Sequence, residues 1–426
     1  MQDRDGQPRV LIISHSHPGV THGGAEIAAY ALFKELRSSG LVQVWFLGCS
    51  HRASDVRLGV SLTQPFGIDE FLYTPNGTMD HLKFSNSDPA YPRMLTDLVR
   101  ELRPTIVHAH HYANIGIETF SIIRKACPDI RIILTLHEFL AICHNYGQMV
   151  KPVTYQLCER ETYAGCAACF NKITTQDFFL RKRYIQFFLE DVDFFLSPSR
   201  FLADRYVAWG LPADRLRIIE NVPSGSACTD EPEMADLEAG RPVHIGFFGQ
   251  MSPLKGIAVL VAAMKRLAVL GTWNVVSHIF GDYSNQPEEF QAAMLLALQR
   301  PGDNVIYHGP YENHRVRALM QSVDAIVVPS IWWENSPVVI QEALSCGRPV
   351  LCSDIGGMAE MVRPELDGLH FDAGSDYSLA QLLLRIARSP ELLPGLRSSL
   401  KRPRSAREVM EEHLILYRQP GQAAVA

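Results

Sequence analysis

The sequence lacks a hydrophobic run long enough to cross a membrane, and its first residues lack the core of a signal peptide. The longest apolar stretches have the length of a strand or, as from Ile257 to Leu270, are interrupted by charge at Lys265 and Arg266. A membrane-spanning helix needs about 20 apolar residues, and the opening MQDRDGQPR contains no apolar core. We therefore expect a cytoplasmic protein, in which any contact with the inner membrane face is peripheral.

An excess of positive charge is also lacking. The 426 residues include 40 lysines and arginines against 46 aspartates and glutamates, which gives a formal net charge of −6. Because binding to nucleic acid backbones depends on positive charge, broad DNA or RNA binding is excluded, and phosphate contacts must be local. The hydrophobic content of 47% is sufficient for the cores of two or three soluble domains.

Cysteines are few and odd in number, which argues against a disulfide framework. The nine cysteines are scattered over a long chain, so reduced thiols are expected. Four of them, Cys143, Cys158, Cys166 and Cys169, fall within segment 143–169, and the last two form a C-x-x-C pair. Thiolates at this spacing can hold a tetrahedral zinc ion, so the segment predicts a structural zinc site. Free buried thiols or a redox pair are the alternatives.

The dinucleotide-binding pattern G-x-G-x-x-G does not occur in the first strand–loop–helix unit. Gly23 and Gly24 form the glycine pair of this loop, and their spacing does not match, which argues against NAD binding. The pair either allows a tight turn needed for packing or brings backbone amides close to a ligand.

Apolar runs alternate with helical stretches along the chain, as in a parallel sheet with crossover helices. The first series comprises Val10 to Ser14, Val42 to Leu47, Ile106 to Val107, Ile130 to Leu136, Asp193 to Leu196 and Leu216 to Ile219. The second comprises His244 to Phe248, Val275 to Phe280, Asn304 to Tyr307, Ala325 to Val328, Pro349 to Cys352 and Leu369 to Phe371. We predict an α/β protein with two doubly wound, Rossmann-like domains, residues 1–225 and 242–400, which face each other across a cleft and are joined by a linker at 226–241.

Two glutamates eight positions apart flank a predicted helix start in the second domain. Glu334 follows the apolar run at Ala325 to Val328 and should lie at the carboxyl end of a strand. Ser336 followed by Pro337 predicts a helix start, with the serine as the cap and the proline as the first helical residue. The amides and the positive dipole end of this helix favour a phosphate or diphosphate, and Glu342 lies one to two turns further on. Solvated surface glutamates are the alternative.

A second loop, Gly246 to Gly256, reads GFFGQMSPLKG and contains Gly249, Gln250 and Lys255. A glycine lets the backbone approach a phosphate, and the lysine ammonium can neutralise a departing diphosphate. An ordinary strand–helix connection is the alternative.

Histidines end two neighbouring strands of the first domain. His137 follows the run at Ile130 to Leu136, and His108, His110 and His111 follow the run before it. At these positions a histidine can donate a hydrogen bond to a hydroxyl or carbonyl group of a ligand. Structural histidines and metal binding by the sequence HAHH are the alternatives, although the spaced acids of a typical metal site are missing.

The stretch PSIWWENSPVVIQEALSCGRPVLCSDIGGMAE, from Pro329 to Glu360, resembles the Glu-x7-Glu segment of the retaining, nucleotide-sugar-dependent glycosyltransferases of family 4. The resemblance implies the GT-B fold, with the helical stretch in residues 401–426 crossing back onto an acceptor-side first domain. It assigns Glu334 and His137 to the donor sugar, Glu342 to the ribose, and Lys255 to the diphosphate. Gly23, Gly24, Gly249, Gln250, Asn335 and Ser336 are implied to bind the donor.

Two departures from the family pattern are visible. Asn335, Ser336 and Pro337 stand where glycines are common, and proline offers no amide. Gln250 stands where an arginine is common, so Lys255 should carry more of the contact with the diphosphate. Tyr311 is a candidate for stacking on the base.

The resemblance implies transfer of a sugar from a UDP- or GDP-sugar to a glycan, lipid-linked or small-molecule acceptor, without a required catalytic metal. A nucleotide-sugar epimerase, a phosphorolytic enzyme and a non-catalytic sugar-nucleotide binding protein are the alternatives. The segment from Phe178 to Phe201 mixes bases and aromatics, which predicts a core-packing amphipathic helix or a peripheral membrane contact.

Overall fold

The structure is a computed structural model that describes residues 7–21, 23–55, 57, 59–223, 241–299 and 304–419. The chain divides into two compact units, Met1–Ser224 with Arg404–Ala426, and Gly225–Pro403. The predicted linker at 226–241 lies outside the described residues except for Arg241. None of the described helices is both long enough and apolar enough to traverse a lipid bilayer.

The first unit is built around an eight-stranded sheet. Its strands are β1 (Arg9–Ile13), β2 (Gln43–Cys49), β3 (Leu62–Gly67), β4 (Glu70–Tyr73), β7 (Ile106–Ala109), β8 (Arg131–Thr135), β9 (Phe194–Ser197) and β10 (Leu216–Ile218), and a separate pair is formed by β5 (Met79–Asp80) and β6 (Ser85–Asn86). Its helices are α1 (Gly24–Ser39), α2 (Tyr91–Leu102), α3 (Thr119–Ala126), α4 (Tyr163–Ala167), α5 (Thr175–Leu189), α6 (Arg200–Trp209) and α14 (Ala406–Arg418).

The order of this sheet is β10-β9-β8-β7-β1-β2-β4-β3, with parallel pairing except between β3 and β4. The sequence did not predict β3 and β4. Strand β3 is partly exposed along its length, so it lacks the apolar run by which the buried strands were found. Helix α14 packs beside α1, and both bury side chains in one cluster with β1 and β2.

The second unit is a six-stranded, fully parallel sheet in the order β13-β12-β11-β14-β15-β16. Its strands are β11 (Val243–Phe248), β12 (Val275–Phe280), β13 (Val305–Gly309), β14 (Ala325–Val328), β15 (Val350–Ser353) and β16 (Gly368–Phe371). Its helices are α7 (Ile257–Val269), α8 (Glu288–Leu298), α9 (Val316–Gln321), α10 (Val338–Ser345), α11 (Gly356–Met361), α12 (Asp376–Arg388) and α13 (Leu392–Ser399).

This order is that of a Rossmann-like sheet, in which strands are added on one side of β11 and then, from β14 onward, on the other side. Because neighbouring side chains on a strand point to opposite faces, Phe247 packs in the cluster under α7 and α12, while Phe248 packs in the cluster under α9 and α10. The α/β prediction is therefore confirmed, and the runs at Val275 to Phe280 and Ala325 to Val328 match their strands end to end.

Helix α5 has one buried face, as the core-packing interpretation requires. Phe178, Arg181, Ile185 and Leu189 are buried at helical spacing. The exposed side of the helix is mixed, since Phe179, Leu180 and Phe187 are exposed there beside Gln176 and Arg183.

Candidate functional site

The two loops predicted to bind an anion meet at the carboxyl ends of β11 and β14. Glycines allow this approach, because a Cβ atom at Gly256 would lie 1.7 Å from the carbonyl oxygen of Pro329. A Cβ atom at Gly357 would likewise lie 1.8 Å from the carbonyl oxygen of Asn335. Real Cβ contacts of this length do not occur, so only glycine fits at either position. The loop after β14 is therefore held between the starts of α7 and α11.

Lys255 and Glu334 form the centre of this site. The ammonium of Lys255 lies 2.5 Å from Oε1 of Glu334. The same oxygen accepts hydrogen bonds from the hydroxyl of Ser330 and the indole of Trp332, each at 2.9 Å, and the ammonium lies 5.7 Å from the ring centroid of Trp332. Glu334 is buried at 6% exposure. A charged pair that is partly shielded from water is thus fixed at the end of β14.

Helix α10 begins one residue later than predicted. Pro337 is the N-cap, with ψ at 120°, and it provides no side-chain cap, so the prediction that Ser336 caps the helix is wrong. Proline's fixed φ suits an extended N-cap as well as the first helical turn. The amide of Ile340 donates to the carbonyl of Pro337 at 3.0 Å, and the buried Asn335 precedes the turn.

Glu342 lies within α10 and is partly buried. Burial raises the pKa of its carboxyl to about 7, because a charged carboxylate is disfavoured away from water. Burial, and then the nearby Glu342, raises the pKa of Tyr311 to about 12. The candidate ribose ligand and the candidate base-stacking residue are therefore neighbours.

Gly249 and Gln250 lie at the end of β11. Gly249 has a φ of +123°, which favours glycine, and its amide donates to the carbonyl of Phe280 at 3.0 Å. Gln250 is exposed. The structure thus groups Gly249, Gln250 and Lys255 on one loop at the carboxyl edge of the sheet, next to Glu334.

The first unit has its own polar cluster at the carboxyl ends of β7 and β8. Nδ1 of His110 lies 3.1 Å from Nε2 of His137. Burial lowers the pKa of His110 well below its ordinary value and that of His137 to about 4. His111 bonds the carboxylate of Glu138. Of the histidines that the sequence singled out, His108, His110 and His137 are therefore in contact through His110, whereas His111 pairs with Glu138.

The glycine pair of the first loop lies beside a buried carboxylate. Gly23 is the N-cap of α1, and a Cβ atom there would lie 2.4 Å from Oε2 of Glu26. Glu26 is 3.3 Å from His15 and accepts a hydrogen bond from Thr21 at 2.7 Å. Burial opposes ionisation, but the bonds from His15 and Thr21 outweigh it and lower the pKa of Glu26 to about 2. Gly24 starts the helix, and among the described residues no atom beyond its chain neighbours and its own helix backbone lies within 4 Å of its Cβ position.

Sequence reasoning missed several members of these clusters. Ser330 and Trp332 belong to the same loop as Glu334, so their closeness in sequence could have predicted these contacts. Glu138 follows His137 directly and was also visible. His15 could not be assigned, because its contact with Glu26 depends on the bend of the loop between β1 and α1.

The four clustered cysteines line one cavity of about 50 Å³, together with Glu161 and other side chains. No disulfide joins any of them to another cysteine among the described residues. Over the described ranges, no group of three or more histidine, cysteine, aspartate or glutamate side chains is placed to hold a metal ion. The structural zinc site stays a prediction.

Two family models match the chain. The one described as "Glycosyltransferase Family 4" matches residues 22–222, and the one described as "Glycosyl transferases group 1" matches residues 231–401.

Curated relatives match over a shorter stretch. A D-inositol 3-phosphate glycosyltransferase of Xylanimonas cellulosilytica is 30% identical over 187 residues, which are 42% of this chain and 43% of the relative. A lipopolysaccharide 1,2-N-acetylglucosaminetransferase of Salmonella typhimurium is 31% identical over 183 residues, which are 41% of this chain and 48% of the relative. The chain thus spans about half the length of these relatives.

Solved structures match over nearly the whole chain. HepE of Anabaena, in complex with UDP, has a TM-score of 0.68 at 15% identity, and the match covers 96% of this chain and 99% of the HepE chain. Sucrose-phosphate synthase of Thermosynechococcus elongatus has a TM-score of 0.66 at 19% identity, and the match covers 97% of this chain and 98% of the synthase chain. At these identities the likeness is one of fold. The two family models show that this chain belongs to the group 1 glycosyltransferases, and the solved structures show that it has the GT-B fold.

Proposed function

We propose that this protein is a retaining glycosyltransferase that moves a sugar from a nucleoside diphosphate to an acceptor hydroxyl in polysaccharide or glycoconjugate biosynthesis. The observation that carries the proposal is the pair of Lys255 and Glu334 at the carboxyl end of a parallel sheet. It combines a cation for a diphosphate with a carboxylate for sugar hydroxyls.

Residues of the second unit are proposed to bind the nucleotide sugar as follows. Lys255 binds the diphosphate, and Oε2 of Glu334 accepts from a sugar hydroxyl while Oε1 keeps its bonds to Ser330 and Trp332. Glu342 accepts from the ribose hydroxyls. HepE, the fold relative, was solved with UDP and with UDP-glucose, which supports a uridine donor over a guanosine donor.

The reaction breaks the bond between the anomeric carbon and the diphosphate oxygen. A new bond forms from the acceptor oxygen to the same face of the anomeric carbon, and the acceptor proton passes to an oxygen of the leaving diphosphate. Lys255, the amide of Gln250 and the backbone amides at the start of α10 stabilise the charge that grows on the diphosphate. This is electrostatic stabilisation by groups that are already in place.

The acceptor is proposed to be a glycan or a lipid-linked molecule. The relatives include an alpha-galactosylglucosyldiacylglycerol synthase of Streptococcus pneumoniae, which is 24% identical over 248 residues, or 56% of this chain and 63% of the relative. A lipid acceptor would be reached at a membrane surface, and the exposed Phe179, Leu180 and Phe187 on α5 suit a peripheral contact. The contact of His137 with the donor sugar and the cytoplasmic location stay predictions.

The test is a panel of nucleotide sugars, with detection of free nucleoside diphosphate in the presence and absence of acceptors. Transfer requires acceptor-dependent release of the diphosphate, and the anomeric configuration of the product decides whether configuration is retained. An epimerised donor would replace the proposal by an epimerase, a sugar phosphate formed with inorganic phosphate would indicate phosphorolysis, and binding without turnover would indicate a binding protein.

Substitutions at Lys255 and Glu334 test whether the reaction takes place at the proposed site. Lys255→Met and Glu334→Gln should each lower turnover by about 100-fold, while the exposed matched controls Lys265→Met and Glu289→Gln should leave it unchanged. If activity and thermal stability fell in parallel for Glu334→Gln, its assignment to the sugar would be wrong.

A further inference from the structure

Lys255 can be reached from solvent, whereas its partner Glu334 is enclosed. The two side chains are 35% and 8% exposed, and the ammonium nitrogen lies 2.5 Å from Oε1 of the carboxylate. Among the described residues, Glu334 is the one carboxylate that pairs with Lys255. A ligand that approaches this ammonium therefore meets a cation whose charge is already offset by a neighbouring anion.

Glu334 keeps its position without the lysine. Its Oε1 accepts from the hydroxyl of Ser330 and the indole of Trp332, each at 2.9 Å. Its main chain is also held, because its amide donates to the carbonyl of Trp332 at 2.9 Å and its carbonyl accepts from the amide of Gly357 at 2.6 Å. A lysine, in contrast, has a long and flexible stem. Lys255 is therefore the partner that can turn away from the pair.

The two loops of the site offer a diphosphate no other charged donor. The segment from Gly249 to Gly256, GQMSPLKG, has Lys255 as its single charged residue, and the loop from Pro329 to Pro337, PSIWWENSP, adds only the negative charge of Glu334. A nucleoside diphosphate must therefore compete with Glu334 for the ammonium. Its phosphates also come close to a fixed negative charge, which repels them.

The second carboxylate oxygen of Glu334 has different surroundings. No hydrogen bond to Oε2 forms within the described ranges, because Lys255, Ser330 and Trp332 all contact Oε1. A carboxylate oxygen accepts a strong, charge-assisted hydrogen bond from a hydroxyl group. A ligand that carries a sugar on its diphosphate can make this bond, and a nucleoside diphosphate without the sugar cannot.

We propose that Glu334 discriminates between the nucleotide sugar and the nucleoside diphosphate that remains after transfer. Its carboxylate weakens the binding of any diphosphate, both by holding Lys255 and by repelling the phosphates, and a sugar hydroxyl on Oε2 offsets this loss. The nucleoside diphosphate product lacks that hydroxyl, so it is bound weakly and leaves. Such specificity combines an attractive contact for one ligand with a repulsive one for the other. The inference rests on the proposed function, which supplies both ligands.

The experiment is calorimetric titration of the full chain with UDP and with GDP. Glu334→Gln keeps an oxygen for Ser330 and Trp332 but removes the charge, so it should bind the nucleoside diphosphate about fivefold more tightly than the wild type. Damage to the fold would weaken binding, so a gain in affinity identifies the loss of the competing charge. The exposed control Glu289→Gln should leave the affinity unchanged. An unchanged or weaker affinity in a folded Glu334→Gln would overturn the proposal.

A second variant keeps the charge and should have the opposite effect. Ser330→Ala removes one neutral donor to Oε1, so the carboxylate depends more on Lys255, and the nucleoside diphosphate should bind about threefold more weakly than to the wild type. Equal or tighter binding by Ser330→Ala would contradict the competition for Lys255, and this result does not require that Glu334→Gln folds.

The nucleotide sugar that supports transfer provides the other half of the test. Glu334→Gln should bind it about threefold more weakly, because the lost charge-assisted bond to the sugar outweighs the gain at the diphosphate. A gain of about fivefold for both ligands would show that Glu334 does not recognise the sugar and would refute the discrimination.

The same titrations separate this inference from the proposed function. If neither UDP nor GDP bound to the wild type or to Glu334→Gln, the proposed function would fail and the inference with it. If a nucleoside diphosphate bound to the wild type without a gain in Glu334→Gln, the inference alone would be refuted.

Discussion

At the scale of single residues, burial can by itself shift the pKa of a side chain at the candidate site. Glu342 illustrates this, because burial alone raises the pKa of its carboxyl to about 7. A group of this kind can change its charge near neutral pH, and a carboxylate is a stronger acceptor for ribose hydroxyls than a protonated carboxyl group.

The first prediction concerns the pH dependence of stability at Glu342. The folded pKa is above the ordinary value of 4.5, so the folded state binds more protons than the unfolded state between these two pH values. Stability should therefore decline as pH rises from 4.5 to about 7 and then level off, with a total effect of no more than about 3 kcal/mol. Urea unfolding across this range measures the decline, and Glu342→Gln should remove this part of it.

The ionisation of Glu342 should also affect donor binding, but here the effect of rising pH should be favourable. The apparent KM for the nucleotide sugar should fall as pH rises through about 7, because the ionised Glu342 binds the ribose hydroxyls. Glu342→Gln should flatten this profile. A wild-type profile without a change near pH 7 would contradict both the pKa and the assigned role.

At the scale of the elements, close approach between loops decides the geometry of the site. Gly256 caps α7 with a φ of +69° and lies against the carbonyl of Pro329. Gly271 has the same φ of +69°, but apart from its chain neighbours no atom of the described residues lies within 4 Å of its Cβ position. The two glycines therefore separate the effect of backbone strain from that of a steric clash.

The second prediction compares alanine at these two glycines. Gly271→Ala should cost only the strain of a left-handed residue, about 1–2 kcal/mol. Gly256→Ala should cost more, because the loop after β14 must also move, and it should lower turnover by displacing Glu334 from Lys255. Urea unfolding and the transfer assay measure the two effects. Equal losses in both variants would show that the clash is relieved without cost.

The third prediction concerns the segment between β8 and α5. Its regular structure is limited to the five-residue α4 and an isolated bridge between Val150 and Leu157, and its four cysteines line one cavity. We expect one zinc ion per chain, bound after the thiols turn into the cavity.

Metal analysis of the purified protein tests this expectation. Cys158→Ser should release the zinc, and Cys127→Ser, which changes a cysteine outside the segment, should keep it. Chelation should lower the thermal midpoint of the wild type. A metal-free protein with four titratable thiols in the segment would favour free cysteines, and a disulfide between Cys166 and Cys169 would favour a redox pair.

At the scale of the whole molecule, the first unit is discontinuous in sequence. Helix α14 buries Val409, Met410, Leu414, Leu416 and Tyr417 in a cluster with α1 and the central strands. Each such side chain contributes about 1.5–3 kcal/mol when it is fully buried. The last helix is thus a part of the core of the first unit.

The fourth prediction is that removal of residues 404–426 destabilises one unit selectively. Amides of β1 and β7 should lose protection in hydrogen exchange, because their core is opened, while amides of β11 and β12 should retain it. Loss of protection in β11 and β12 to the same extent would show that the second unit depends on α14 as well.

The sequence by itself determined the two Rossmann-like series and the family. Buried parallel strands are continuous apolar runs, and the Glu334 segment follows its strand directly, so both are readable from local order. Strand β3 was missed because a partly exposed strand carries no such run, and β4 is buried but only four residues long. The cap of α10 was misplaced by one residue because proline suits both positions.

Only the tertiary structure decided which polar groups meet. Lys255 and Glu334 are 79 positions apart, and their contact depends on the glycines that let two loops approach. Likewise, the chain from Tyr417 through His108 and His110 to His137 exists because α14 packs beside neighbouring parallel strands. Burial then shifted the pKa values of Glu342 and His137, since desolvation depends on everything packed around a group and not on its neighbours in sequence.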